Sequence, residues 1–335
     1  MIRNFFINCL FKIPVWFLRI ISPFDKVERN YAFDHQSKLF LSLVPNFNIH
    51  EVKERDVPKI RKIIERRRTN LRLSKLPKKK IVKIDHKIGN SKKLILREYV
   101  PYKTDSKKVI LYFHGGGYVL NSIETHDNSV AYFSEKLRTK IYSLDYSKSP
   151  ENKFPVAHNE GIEAIHWLNK NGIDTEDISL CGDSAGAHLA ASISQYLSAS
   201  GSKNVHSQLL IYPMCDPKCN SESQNIFEEG YFLTNNAIKW FWKQFMNNKD
   251  NSSDERFNLL LFDSKNKLPS TIIVTAGFDP LSDEAEEYAY LLHKNNNNVK
   301  QLHYPSLFHG FASMTRLKNA DKAVCDFLSE YKRIL

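Results

Sequence analysis

A chain of 335 residues, 42% hydrophobic and 25% charged, has ample material for a buried core, and its composition excludes wholesale disorder. Its 5 cysteines (Cys9, Cys181, Cys215, Cys219 and Cys325) are odd in number and dispersed, which predicts reduced thiols, and no His or Cys pair completes a zinc site around Cys215 and Cys219. The net charge of +11 is polarised: residues 1–110 carry 27 Lys+Arg against 10 Asp+Glu, and the remainder 21 against 27. The dense runs Arg66–Arg68 and Lys78–Lys80 read as a solvated basic face, since no aromatic residues interleave with them as a nucleic-acid platform requires.

In chain order, the first 24 residues are apolar and aromatic (Phe5, Phe6, Leu10, Phe11, Trp16, Phe17, Ile20) but broken by Lys12, Pro14 and Arg19. That is too interrupted for a spanning helix, and no small-residue cleavage site marks a secretory signal. The pattern predicts an amphipathic segment that either covers the mouth of a site in the body of the chain or lies on a membrane surface. Helical spacing of Val57, Ile60, Ile63 and Ile64 predicts a helix within 50–70, and residues 1–75 are assigned to a helical cap or arm. Ile81–Ile88 and Leu94–Tyr99 suggest a hairpin around Gly89–Asn90. Short β-rich runs then begin at Lys108–Phe113 and recur at Ile141–Tyr146, Ile178–Cys181, Gln208–Tyr212, Thr271–Thr275 and Val299–Tyr304. Helical stretches fall at about 126–138, 154–170, 185–199, 234–247, 282–294 and 315–333. Near-continuous apolar strands alternating with helices predict a parallel sheet covered on both faces.

Four motifs carry chemistry. Gly182-Asp183-Ser184-Ala185-Gly186 follows a strand and opens a helix, the context in which a serine is projected from a strained turn with its Oγ above the sheet. His114-Gly115-Gly116-Gly117-Tyr118 follows the strand KVILYF and exposes bare backbone N–H groups. Acyl transfer needs such donors aimed at a developing oxyanion, and Gly116, Gly117 and Ala185 are assigned to that role. A phosphate loop is disfavoured because no Lys-Ser/Thr follows. His114 is read as bracing the loop. Asp279 follows the strand TIIVT beyond Gly277, and His309 follows the strand VKQLHY. The order Ser184, Asp279, His309 is that of a nucleophile, an orienting acid and a general base on later strand ends. Asp283 and Glu284 are rivals to Asp279 but fall in the next helix.

With these motifs the sequence resembles the hormone-sensitive-lipase family of α/β-hydrolases, which includes bacterial carboxylesterases and arylacetamide deacetylase. The resemblance runs from about Tyr31 to the C-terminus. Asp145–Glu151 is similar to the family's D-Y-R-L-A-P-E segment, Phe154–Ala157 to its F-P-x-A, and Gly230–Thr234 with Trp240 and Trp242 to the stretch shaping its acyl pocket. Ser147, Lys148 and Ser149 depart from the family's Arg, Leu and Ala, and Ala187 stands where glycine is usual. The resemblance implies an eight-stranded, mostly parallel sheet flanked by helices, within a catalytic domain over 76–335. A helical cap would combine the N-terminal arm with an insert around 215–250. It also implies hydrolysis of a small-molecule acyl ester of short to medium chain, without cofactor, metal or nucleic acid. The expected location is cytoplasmic, with membrane association open. N-acyl amidase or deacetylase and membrane-associated lipase remain alternatives. A catalytically inactive ligand-binding homologue is the alternative outside enzymes; the gibberellin receptors, which are of that kind, lack the catalytic histidine that this chain retains as His309.

Overall fold

A computed structural model describes residues 7, 9–21, 26–44, 48–89, 93–247, 249–262 and 267–335. Phe5, Phe6 and Asn90, which entered the expectations above, lie outside the described residues. The N-terminal arm holds α1 (Val15–Ile21), a ribbon of β1 (Val27–Glu28) antiparallel to β2 (Tyr31–Ala32), then α2 (His35–Leu43) and α3 (Val57–Leu71). Asp34 starts α2, its carboxylate accepting from the Ser37 N–H at 2.7 Å. The helix predicted within 50–70 begins only at Val57, and residues 49–51 and 54–56 form separate single turns. Pro58 has no N–H to extend the hydrogen-bond ladder further back.

The body contains β3 (Val82–Ile88), β4 (Leu94–Val100), β5 (Val109–Phe113), α4 (Ile123–Leu137), β6 (Lys140–Leu144), α5 (Val156–Lys170), β7 (Ile178–Asp183), α6 (Ala185–Ala199) and β8 (Ser207–Ile211). It continues with α7 (Glu222–Ile226), α8 (Asn235–Phe245), β9 (Ser270–Phe278), α9 (Ser282–Lys294), β10 (Val299–Phe308) and α10 (Lys318–Tyr331). The eight strands are ordered β10-β9-β8-β7-β5-β6-β4-β3. From β6 to β10 all pairings are parallel, and only β3–β4 and β4–β6 are antiparallel. Every residue of β5, β7 and β8 is buried, as a sheet covered on both faces requires. One apolar core lies with α5 and α6 and takes in Trp240, Phe241 and Trp242 of α8. The other lies with α4 and α10 and takes in Phe33 and Phe40 of the arm.

Register on the sheet places the functional segments. Phe113 is paired with Gly182, so the glycine loop after β5 emerges beside the turn after β7. Phe278 is paired with Phe308, so Asp279 and His309 emerge side by side. Both β9 and β10 run further than their apolar cores suggest, and β10 carries a register irregularity between Tyr304 and Phe308. The arm is fastened to this end of the sheet. Phe33 packs on Phe278 with ring centroids 4.6 Å apart, and the Asp34 N–H donates to Ser306 O at 3.0 Å. The described part of the first 24 residues packs on α2 and the start of α10, where Lys318 Nζ donates to Ile13 O at 3.0 Å. Among the described residues no helix is long and apolar enough to cross a membrane.

Candidate active site

Ser184 sits between β7 and α6 with φ 55° and ψ −121°, a strained backbone for a residue bearing a Cβ. Its N–H donates to Ile211 O at 2.8 Å, and its carbonyl accepts from the His188 N–H at 3.0 Å, so both sides of the turn are held. The flanking glycines are required by close approach. A Cβ on Gly182 would lie 2.3 Å from the Gly186 backbone, and one on Gly186 would lie 2.0 Å from Phe113 O.

The three residues expected to react are brought together. The Ser184 hydroxyl lies 2.9 Å from His309 Nε2, and His309 Nδ1 lies 2.8 Å from Asp279 Oδ2. With Nδ1–H donating to the carboxylate, the opposite nitrogen is free to accept the serine proton. Asp279 Oδ1 accepts from the Leu281 N–H at 2.8 Å, which fixes the carboxylate from the far side. Asp279 is fully buried, while Ser184 and His309 keep 7% and 5% of their surfaces. The ring of Tyr212 rests on His309 with centroids 4.6 Å apart. The rival acids are engaged elsewhere: Asp283 with Arg29 at 2.5 Å, and Glu284 with the Cys215 N–H at 2.7 Å and Gln224 Nε2 at 2.9 Å.

The glycine loop lies against this line. Gly116 and Gly117 have φ of 131° and 60°, which L side chains rarely adopt, and the ring of Phe241 from α8 fills the space that a Cβ on Gly117 would need. Among the described residues, nothing accepts a hydrogen bond from the N–H groups of Gly116, Gly117 or Ala185. Ala185 is the first residue of α6, so the positive end of the helix dipole lies there too.

Asp183 and His114 brace the loop. The Asp183 carboxylate accepts from Tyr112 Oη–H at 2.6 Å and from the Gly115 N–H at 2.9 Å, and lies 3.4 Å from His126 Nε2. Burial alone would raise its pKa, but His126, Tyr112 and the Gly115 N–H outweigh burial and hold it well below the usual carboxylate range. His114 is fully buried, its ring stacked on Tyr146 at 4.4 Å, and burial pushes its pKa down to about 4. It is thus a neutral packing group at neutral pH.

The reading of Arg66–Arg68 as a solvated face needs correction. Arg66 and Arg67 are exposed, but Arg68 turns inward and donates to Asn121 Oδ1 at 3.1 Å and Ser313 Oγ at 3.2 Å. The available signal was spacing: Arg61, Glu65 and Arg68 lie at i, i+4 and i+7 on one face of α3.

A family model described as the α/β-hydrolase fold matches residues 110–313. A carboxylic ester hydrolase of Mycobacterium tuberculosis, LipN, is 30% identical over 70% of this chain and 65% of its own length, so the match spans just under two thirds of that relative. An arylesterase of Saccharolobus solfataricus is 32% identical over 67% of this chain and 74% of its own. The solved structure of the Pyrobaculum calidifontis esterase superposes with a TM-score of 0.79 at 26% identity, covering 89% of this chain and 97% of that one. The chain belongs to the hormone-sensitive-lipase-like family of α/β-hydrolases. In this α/β-hydrolase, the His114–Tyr118, Gly182–Gly186, Asp279 and His309 segments lie at the C-terminal ends of β5, β7, β9 and β10. The departures Ser147 and Lys148 also find local partners: Ser147 binds Glu160 at 2.6 Å and Lys148 binds Asp145 at 2.7 Å.

Proposed function

We propose that this chain is a serine carboxylesterase that hydrolyses short- to medium-chain acyl esters, with Ser184 as nucleophile, His309 as general base and Asp279 as the orienting acid. The observation that carries the reading is the continuous hydrogen-bonded line from Ser184 through His309 to Asp279, at 2.9 and 2.8 Å. The names of the relatives, as carboxylic ester hydrolase and arylesterase, support the same class. As the Ser184 Oγ attacks the ester carbonyl, its proton passes to His309 Nε2. Asp279 holds the imidazole tautomer and stabilises the imidazolium. The oxyanion takes hydrogen bonds from the N–H groups of Gly116, Gly117 and Ala185, each donor contributing about 3 kcal/mol of transition-state stabilisation. The alcohol departs with the proton from His309. Water then attacks the acyl-serine with His309 again as base, releasing the carboxylic acid. Phe241 of α8, seated against the glycine loop, is the side chain placed to limit the acyl group. A cap built from the arm and α8 would close over it.

A chain-length panel of p-nitrophenyl esters, run beside the corresponding p-nitroanilides, tests the substrate class. Turnover that peaks at acetyl to octanoyl esters supports it, and turnover confined to anilides would favour the amidase alternative.

A second reading, peripheral contact with a membrane, is favoured by Trp16 and Ile20, which are 67% and 63% exposed on α1. Such contact would suit an enzyme acting at a lipid surface. Co-sedimentation with vesicles should fall when Trp16 and Ile20 are both replaced by serine; unchanged partitioning contradicts the contact.

A further inference from the structure

The helix α3 reaches the candidate site through three side chains. Arg61 donates to Val119 O at 2.7 Å and Ser149 O at 2.8 Å, and pairs with Glu151 at 2.8 Å. Glu65 accepts from the Ser122 hydroxyl. Arg61 thereby joins the end of the glycine loop to the segment after β6, Glu65 holds the start of α4, and neither bonds to the His309 loop. Arg68 differs in two respects. Its guanidinium reaches the His309 loop as well as the glycine-loop side, donating to Ser313 on the one and Asn121 on the other. It also has no carboxylate within 4.0 Å among the described residues, unlike Arg61.

The bonds continue inward on each side. Asn121 Nδ2 donates to Gly115 O at 2.9 Å, within the glycine loop. The Ser313 hydroxyl donates to Gly310 O at 3.0 Å, the residue after His309. Arg68 therefore links the segment bearing the oxyanion donors to the segment bearing the base, over 53 residues of sequence on one side and 245 on the other. A partly buried cation without a counter-ion costs solvation free energy that a packed apolar side chain would not. Burial accordingly lowers the Arg68 pKa, with Asp183 pulling in the opposite direction.

We propose that Arg68 is a positioning residue for ester hydrolysis, fixing the glycine loop and the His309 loop relative to each other from the N-terminal arm. The inference rests on the serine-esterase reading. Its effect falls on the transition state, where the oxyanion donors and the base must act on one carbonyl together, and hardly on ground-state binding.

The test compares wild type, Arg68→Ala, Arg68→Lys and Arg66→Ala in the full chain. The measurements are p-nitrophenyl butyrate kinetics and amide hydrogen exchange over 114–122 and 309–314. Arg68→Ala should lower kcat by about 10- to 100-fold, the scale expected of small misplacements, and leave KM nearly unchanged. Exchange should rise in both segments. Arg68→Lys should recover part of kcat, since its ammonium reaches one loop. Arg66→Ala, on the exposed face, should match wild type. A cavity of about 210 Å³ lined by Arg68, Arg72 and Ser313 leaves room for added guanidinium to restore part of the lost kcat. Should Arg68→Ala fold poorly, Arg68→Met, which keeps the stem packing, is measured in its place. The proposal is overturned if kcat stays within about twofold of wild type, a loss too small for displaced reacting groups. It is overturned equally if the loss appears in KM instead, or if exchange rises in one segment or neither. A wild-type chain that neither cleaves the ester nor takes up a fluorophosphonate overturns the esterase reading, and the exchange data still decide the role of Arg68.

Discussion

The carboxylate of Asp183 and the backbone N–H of Gly115 lie 2.9 Å apart, although 68 residues separate them in the chain. The residue before the nucleophile thereby holds the loop that presents the oxyanion donors, and the paired register of β5 and β7 is what brings the two within reach. Asp183→Ala leaves the Gly115 N–H and the Tyr112 hydroxyl without their acceptor in a buried setting. The variant should lose about 3 kcal/mol of unfolding free energy in a urea titration, and kcat should fall with it. Wild-type stability in this variant would show that the carboxylate is not structurally engaged.

His188, one turn after Ser184, accepts from Tyr118 Oη–H at 2.5 Å and donates to Phe257 O at 3.1 Å, and burial pushes its pKa from the ordinary 6.5 down to about 4. Between these two values the unfolded chain binds this proton and the folded chain does not. The contribution of His188 to stability is therefore complete above pH 6.5 and is lost as pH falls toward about 4. The stability difference between wild type and His188→Gln should shrink by on the order of 3 kcal/mol from pH 7 to pH 4. A difference constant across that range would contradict the burial of a neutral imidazole.

Gly117→Ala puts a methyl group 2.2 Å from the Phe241 ring at a backbone φ of 60°. Strain at that φ costs about 1–2 kcal/mol before the clash is counted. The variant should melt lower and lose most of its kcat. Adding Phe241→Ala should recover melting temperature more than kcat, because the space is restored and the φ strain is not. Equal recovery of both would assign the whole effect to the clash.

Asp279→Asn should keep the fold but favour the wrong histidine tautomer, lowering kcat by about 10⁴-fold. Asp283→Asn should stay within a few fold of wild type, since its carboxylate serves Arg29 and the Ser223 N–H. A reversal of these two outcomes would move the orienting acid to Asp283.

Much of this arrangement was legible in the sequence because its constraints are local. Gly182 and Gly186 are demanded by contacts within a few residues or across adjacent strands, and all five residues of β5 are apolar or aromatic because both sheet faces are covered. Element ends were less visible: β9 continues to Phe278 and β10 to Phe308, past the apolar runs that announce them, since pairing of neighbouring strands sets where a strand stops. The inward turn of Arg68 was marked only by its spacing from Arg61 and Glu65, because a triplet of arginines looks solvated until the helix is seen to face the glycine loop. The seating of Phe241 on Gly117 was hidden. It depends on how α8 packs across the sheet end, which no local pattern encodes.

The central claim is that one hydroxyl, that of Ser184, takes the acyl group. The most direct measurement is intact mass after treatment with a fluorophosphonate, read beside p-nitrophenyl butyrate turnover, for wild type and Ser184→Ala. The account predicts one adduct per chain mapping to the peptide with Ser184, active wild-type enzyme, and neither adduct nor turnover in a folded Ser184→Ala variant. An adduct on another residue, or a Ser184→Ala variant that turns over ester at the wild-type rate, would contradict it.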